Sequence, residues 1–414
     1  MSSRRPLAPG GGLRYAPVGR GAQGETMDII RCPRLARQTC RKMAESPFVA
    51  LDTEFIRDRS YWAKLCLVQM ASPDYVCALD PIAEPEVLAP LEDLLQDETT
   101  VKILHGCKQD LEIFFNLFGR VPRPVCDTQV VAMALGYGDQ PGYGLLVKQI
   151  LGKDVCKNER FTDWAQRPLS EAQVRYAESD VRPLCSLYLK LTDKLDRLRR
   201  RSWIEDEMAT LCDPDNFVCR PEDAWKRLTL RRRDPRYLFI VVALARWREE
   251  QAQLRDIPRQ HVCDDHIIQA VARAPNLSAD LILGGGRMKS RRVPGGEVLE
   301  EMVEVAKRAL REERPLPEIP KSDSSRHEVA PDLLSLLKAL LKARAQSYNV
   351  APRMIATVDE LAVFALGRET RVLSGWRYDI FGHDALALRN GKIGVAWRNG
   401  GMEAVPVTAK ASEK

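Results

Sequence analysis

The sequence predicts an α/β domain with a mixed sheet, followed by two small all-α bundles. Three observations carry that expectation. From residue 27 to about 205, short apolar strand-like runs alternate with helical patterns. Beyond 205 the texture is helical, with no convincing strand pattern. Within that half, IPRQHVCDDHIIQAVA at 257–272 aligns with APRMIATVDELAVFAL at 351–366, sharing a Pro-Arg pair and an Asp seven positions after the proline.

The elements follow in order. FVALDTEF, AKLCLVQMAS and DYVCALDP read as three strands separated by turn residues, a small antiparallel meander. VLAPLEDLLQD carries leucines at helical spacing, VKILHG reads as the next strand, and QDLEIFFNLFG as a helix ended by Gly119. VCDTQVVAMALG, YGLLVKQILG and LSEAQVRYAESDVRPLCSLYLKLTDKL continue as helix-rich segments. Pro183 interrupts the last of these and predicts a kink or a restart. The expected divisions are a disordered tail or upstream extension at 1–26, an α/β domain at 27–205, a helical module at 206–292, a helix and linker at 293–326, and a second helical module at 327–408.

Composition narrows the function classes. The 63 basic and 57 acidic residues leave a mildly positive chain, which allows a polyanionic partner without requiring one. Eleven cysteines, odd in number and never spaced CxxC, argue against a disulfide framework or zinc knuckle and fit a reducing cytoplasm. The longest apolar run, YLFIVVALARW, is too short to span a bilayer, so no membrane association is expected.

The chemistry gathers around acids. Asp52 and Glu54 stand two apart in a strand, so their side chains share a face. Two bare carboxylates so placed repel unless a cation sits between them, and a hard divalent ion is the natural partner. The pair alone also fits a strand that ends by exposing its acids. HGCKQD sets Asp110 at the start of a helix, where a carboxylate caps amides or enters a site. YAESD sets Tyr176 and Asp180 on one helical face, as an ordinary amphipathic helix also would. His105 and Gln69 read as satisfied core residues, and Asp127 as either a helix cap or a support for the site.

In that order, LDTEF, HGCKQD and YAESD resemble the three motifs of the ribonuclease D family, DEDD-superfamily 3′-to-5′ exonucleases of the tyrosine branch. RFTDWAQRPLSEAQVRYAESDV resembles the family's approach to its third motif. The two helical modules look like tandem HRDC domains, which are nucleic-acid-binding bundles. The resemblance implies a ribonuclease H-like fold and two divalent ions, Mg²⁺ or Mn²⁺. Asp52 would touch both ions, Glu54 and Asp180 would complete one site, and Asp110 would hold the other. Tyr176 would orient the attacking water, and 5′-mononucleotides would leave from the 3′ end of RNA. Transfer RNA precursors are the implied substrate, with no obligate protein partner. A DNA 3′-to-5′ exonuclease and a non-catalytic RNA-binding protein with a decayed nuclease domain are the alternatives, and the intact acids and Tyr176 oppose the second.

Basic residues supply candidate RNA contacts. Between Arg220 and Arg259 stand eleven basic and six acidic residues, with Arg231, Arg232 and Arg233 consecutive. Arg287, Lys289, Arg291 and Arg292 form a second candidate patch. Both could track phosphates.

Overall fold

A computed structural model describes residues 27–156, 159–279, 295–312, 316–317, 330–398 and 400–407. Two compact units divide them: one holds the described parts of Met1–Glu54, Cys66–Asp213 and Lys321–Lys414, the other those of Phe55–Leu65 and Pro214–Pro320.

The first unit is built on a six-stranded sheet in the order β1-β4-β3-β2-β5-β6. Its strands are β1 Asp28–Ile30, β2 Phe48–Ile56, β3 Lys64–Ala71, β4 Val76–Leu79, β5 Val101–Leu104 and β6 Val125–Asp127. β3 and β4 pair antiparallel, whereas β1 with β4, β2 with β5 and β5 with β6 pair parallel, so the sheet is mixed. The edge strands β1 and β6 fall in segments that the sequence pattern did not mark as strands. Each has only three residues, too few to display a period, and its conformation is set by the parallel neighbour it joins.

The helices of this unit are α1 Pro33–Ala44, α2 Ala89–Gln96, α3 Lys108–Phe118, α4 Thr128–Ala134, α5 Tyr143–Leu146, α6 Glu171–Arg197 and α7 Arg201–Leu211. α1 packs on α2, while α6 packs on α4, β4 and β5. Gly119 ends α3 in the left-handed region, at φ 68°, as its sequence position predicts. A full capping box starts α6: Ser170 accepts from the Gln173 amide, and the Gln173 side chain accepts from the Ser170 amide. α6 then runs as one helix through Pro183, without the predicted restart.

The helical segment beyond residue 330 belongs to the same unit. The Arg200 guanidinium donates to the carbonyls of Ala134 at 2.8 Å and Asn349 at 3.0 Å, and the Ala351 amide donates to the Met133 carbonyl at 2.9 Å. Trp203 and Trp376 stack with centroids 4.3 Å apart, and Glu207 receives both Arg371 and Arg377. α7 thus continues through the sequence boundary at 205, because its buried partners lie on both sides. Strands β7 Ile393–Arg398 and β8 Gly401–Pro406 pair antiparallel in what the pattern read as wholly helical. Their signal was the Asn-Gly-Gly run between two short apolar stretches, a hairpin turn sequence.

In the second unit, α8 Pro235–Leu254 packs against α9 Arg259–Val262, α10 Asp265–Arg273 and the helix Gly296–Glu312. Leu299, Met302, Val303 and Ala306 of that last helix enter the core, so the module extends beyond 292 into a stretch grouped with the linker by sequence. The sequence repeat has a structural counterpart. α9 and α10 follow the long α8 as Pro352–Ile355 and Val358–Ala365 follow Pro331–Ser347.

The loop after β2 joins this second core. Tyr61 is buried there, and its hydroxyl meets the carboxylate of Glu249, which is itself buried. Arg259 donates to both Glu249 oxygens, from Nε at 2.5 Å and from Nη2 at 2.6 Å. Burial pushes the Glu249 carboxyl up, but the bonds from Arg259 and Tyr61 hold it below its ordinary value.

Two substitutions test this packing. Arg259→Met leaves Glu249 buried without its bidentate partner and is expected to cost about 3 to 5 kcal/mol of stability in denaturant melts. A depressed carboxyl contributes stability above its unfolded pKa and loses it as pH falls through the folded value, so this acid-side loss should shrink in Arg259→Met. Gly136→Ala should destabilise the first unit, because at φ 80° its Cβ would lie 2.5 Å from the Asn349 carbonyl oxygen. An unchanged melting temperature would mean the 349 turn yields freely.

Candidate active site

Strand alternation turns Asp52 and Glu54 of β2 to one face, and α6 brings Asp180 over them. One carboxylate oxygen from each of the three lies within 4.8 Å of the others. Asp110, in the first turn of α3, stands outside this group of three but acts on Asp52 more strongly than the other acids do. The Thr53 hydroxyl donates to Asp110 Oδ1 at 2.5 Å. Thr53 was not singled out in the sequence. A threonine between two acids carries no periodic signal, and only the approach of α3 to β2 gives it a partner.

Burial dominates the electrostatics. Asp52 is pushed well above the carboxylate range by burial and then by Asp110, Asp180 and Glu54. Burial, followed by Asp180 and Asp110, raises Glu54 to about 9 against a pull from Arg160. Asp180 rises to about 7 by burial, moderated by its hydrogen bond with Tyr176 and by Arg160. Asp110 rises to about 6, burial outweighing the Thr53 hydrogen bond. A set of acids that resists ionising together is a set that fits cations. All donors are hard carboxylate oxygens, which suits a divalent ion of the Mg²⁺ or Mn²⁺ kind better than zinc.

A cleft of about 690 Å³ opens over Asp52 and Asp180, lined also by Tyr176, His105, Gln129, Tyr143, Arg160 and Phe161. The Tyr176 ring meets Trp164 at 5.8 Å between centroids, and burial followed by Asp180 and Glu54 raises its phenol, keeping the proton on. Arg160 and Phe161 come from a segment held down by Arg167, which forks onto buried Asp80 at 2.8 and 2.6 Å. Phe161 is 93% exposed beside the cleft, with the Arg160 guanidinium 5.4 Å from its ring.

Asp127 fills both roles open to it. Its Oδ1 accepts from the Gln129 amide at 2.8 Å, capping α4, and from the Gly106 amide at 2.9 Å. Its Oδ2 accepts from the Cys107 amide at 3.0 Å, so the turn that launches α3 and Asp110 is tied down. His105 is satisfied, as expected: burial lowers its pKa, and the neutral ring can accept from Thr128 at Nδ1 and donate to the Pro141 carbonyl at Nε2. Gln69 differs from expectation, since neither amide atom finds a partner among the described residues. Arg231, Arg232 and Arg233 are exposed on an irregular segment before α8, rather than on a helix. Arg287, Lys289, Arg291 and Arg292 lie outside the described residues.

The raised carboxyls make stability depend on pH and metal. Where folded pKa values exceed unfolded ones, the folded state holds extra protons, so stability falls as pH rises from the ordinary carboxylate range through about 6, 7 and 9. In chelator, the melting temperature is expected to drop across that window, and a divalent cation should restore it most at high pH. Asp180→Asn should flatten both trends. A slope unchanged by Asp180→Asn would place that acid outside the coupled cluster.

A family model described as a 3′-5′ exonuclease matches residues 27–196. Among curated relatives, ribonuclease D of Granulibacter bethesdensis is 41% identical over 86% of this chain and 90% of its own. Ribonuclease D of a Jannaschia species is 42% identical over 89% of this chain and 96% of its own. The crystal structure of Escherichia coli RNase D, titled an exoribonuclease involved in structured RNA processing, superposes with a TM-score of 0.74 at 25% identity, covering 88% of this chain and 99% of that one. Exonucleases of this acid-cluster type are metal-dependent, in keeping with the clustered carboxylates. With identity and coverage at these levels, the mixed-sheet exonuclease domain and the helical segments after it belong together to one family, and the chain is a member of the ribonuclease D family of 3′-to-5′ exoribonucleases.

Proposed function

We propose that the chain trims the 3′ ends of transfer RNA precursors and other structured RNAs in the cytoplasm, using two divalent ions, Mg²⁺ or Mn²⁺. The observation that carries the site assignment is the convergence of Asp52, Glu54 and Asp180 within 4.8 Å, with Asp110 acting on Asp52 and Tyr176 bonded to Asp180. Asp52, Glu54 and Asp180 would hold one ion, and Asp52 with Asp110 the other. Bound there, such ions supply Lewis-acid activation of water and neutralise charge on the scissile phosphate.

The chain's own groups do the rest. The cleft admits the terminal nucleotide, and Arg160 brings positive charge to a site that is otherwise acidic. Tyr176, protonated at working pH, offers its hydroxyl to the attacking water. Water oxygen bonds to phosphorus, the bond from phosphorus to the preceding 3′ oxygen breaks, and a 5′-mononucleotide departs. The two helical modules, read as HRDC domains, would supply affinity, with Arg231, Arg232 and Arg233 exposed to meet phosphates. The cytoplasmic placement is supported by eleven free thiols, and no helix among the described residues is long and apolar enough to cross a membrane.

End-labelled RNA and matched DNA, incubated with Mg²⁺, Mn²⁺ or chelator, should show stepwise 3′ shortening of RNA only with metal. Equal trimming of DNA would shift the reading to a sugar-indifferent exonuclease. Tyr176→Phe should lower the single-turnover rate roughly thirtyfold to a thousandfold, the usual range for losing one preorganised donor, with near-normal metal binding by calorimetry. A Tyr176→Phe enzyme at full rate would make the phenol a packing group.

A further inference from the structure

Pro183 lies inside α6 and has no N–H to give the carbonyl of Ser179, the residue four positions earlier. That carbonyl is one residue before Asp180 and three after Tyr176, in the very turn that carries both groups to the cluster. The Tyr143 hydroxyl donates to it at 3.1 Å. The Ser179 hydroxyl, in turn, donates back to the Tyr176 carbonyl at 2.7 Å, so side chains supply hydrogen bonds in this turn beyond the regular ladder. We propose that Tyr143 is a positioning residue: its phenol replaces the donor that Pro183 removes and thereby fixes the aim of Asp180.

The placement of Tyr143 is itself determined. Pro141, two residues before it, has its carbonyl gripped by His105 Nε2 at 3.0 Å and Gln129 Nε2 at 3.2 Å. The His105 and Tyr143 rings then meet at 5.6 Å between centroids. His105 follows β5 directly and Gln129 stands at the start of α4, so the sheet and α4 hold the loop that holds the phenol. Tyr143 lines the cleft beside Asp52 and Asp180, yet its hydroxyl is engaged by the helix backbone. A proline normally opens a helix at the carbonyl four residues back, because ring and oxygen clash. Here that carbonyl has a donor in the Tyr143 hydroxyl, in keeping with a helix that continues unbroken.

The proposal rests on the reading of Asp180 as a metal ligand, and the two are separable by experiment. Tyr143→Phe removes the hydroxyl, and Pro183→Ala returns a backbone N–H to the Ser179 carbonyl, so the double variant should no longer need the phenol. Tyr143→Phe is expected to lower kcat on short single-stranded RNA about tenfold, the scale of one lost hydrogen bond, with KM nearly unchanged. It should also weaken Mn²⁺ binding by calorimetry and speed hydrogen exchange at the amides of residues 176–182 in chelator. In the Pro183→Ala background the same substitution should have little effect on all three. An equal loss in both backgrounds would show that the phenol acts on substrate, and unchanged exchange in Tyr143→Phe would show that the bond does not hold the turn; either overturns the proposal. Asp180→Asn, measured alongside, tests the other reading: Mn²⁺ binding at full strength there would remove Asp180 from the ligands while leaving the exchange result to judge Tyr143.

Discussion

Four carboxylates that burial prevents from ionising freely are the constraint from which the rest of the first unit follows. Asp52 is pushed up by burial and by Asp110, Asp180 and Glu54. Arg160 is the cation that acts on Glu54, Asp180 and Tyr176. Without added cations the cluster opposes folding once its protons leave, so the surrounding scaffold has to hold the acids in place by other bonds.

That scaffold combines side-chain bonds, backbone tethers and one buried ion-pair cluster. Asp110 is bonded by Thr53 of the neighbouring strand, and its helix is launched from amides held by Asp127. The segment carrying Arg160 and Phe161 is fastened through Arg167 to Asp80, whose carboxyl burial pushes up but whose bonds to Arg167 and Arg31 hold low. Each tether pairs a buried polar group with a donor or acceptor from a different element, which is why a single change can misaim an acid from a distance.

The helical parts fall in different units. The segment after residue 330 packs on α7 through Arg200, Trp203 and Glu207, within the same compact unit as the sheet. The other helical unit instead takes in the eleven-residue stretch Phe55–Leu65, which leaves the strand bearing Asp52 and Glu54 and closes over Glu249 with Tyr61. In both, a long helix, a short helix beginning beside a proline and a second helix recur in the same order, and the physical origin is shared turn chemistry: Asp256 and Asn349 follow the long helices at φ 47°.

The sequence by itself determined the mixed α/β core, the helical half, the repeat and the set of Asp52, Glu54, Asp110, Tyr176 and Asp180. The fold features rest on periodicity, and the candidate site set on the resemblance of LDTEF, HGCKQD and YAESD to the family's motifs. Only the tertiary structure decided what Thr53, Asp127 and Tyr143 do, because each bonds a group far away in sequence, and a hydrogen bond between distant elements leaves no local pattern. The same reason explains the two edge strands, which take their form from neighbours, and Pro183. Read locally, a proline four residues after Ser179 breaks a helix; in the folded chain a phenol from another element meets the carbonyl it abandoned, and the helix goes on.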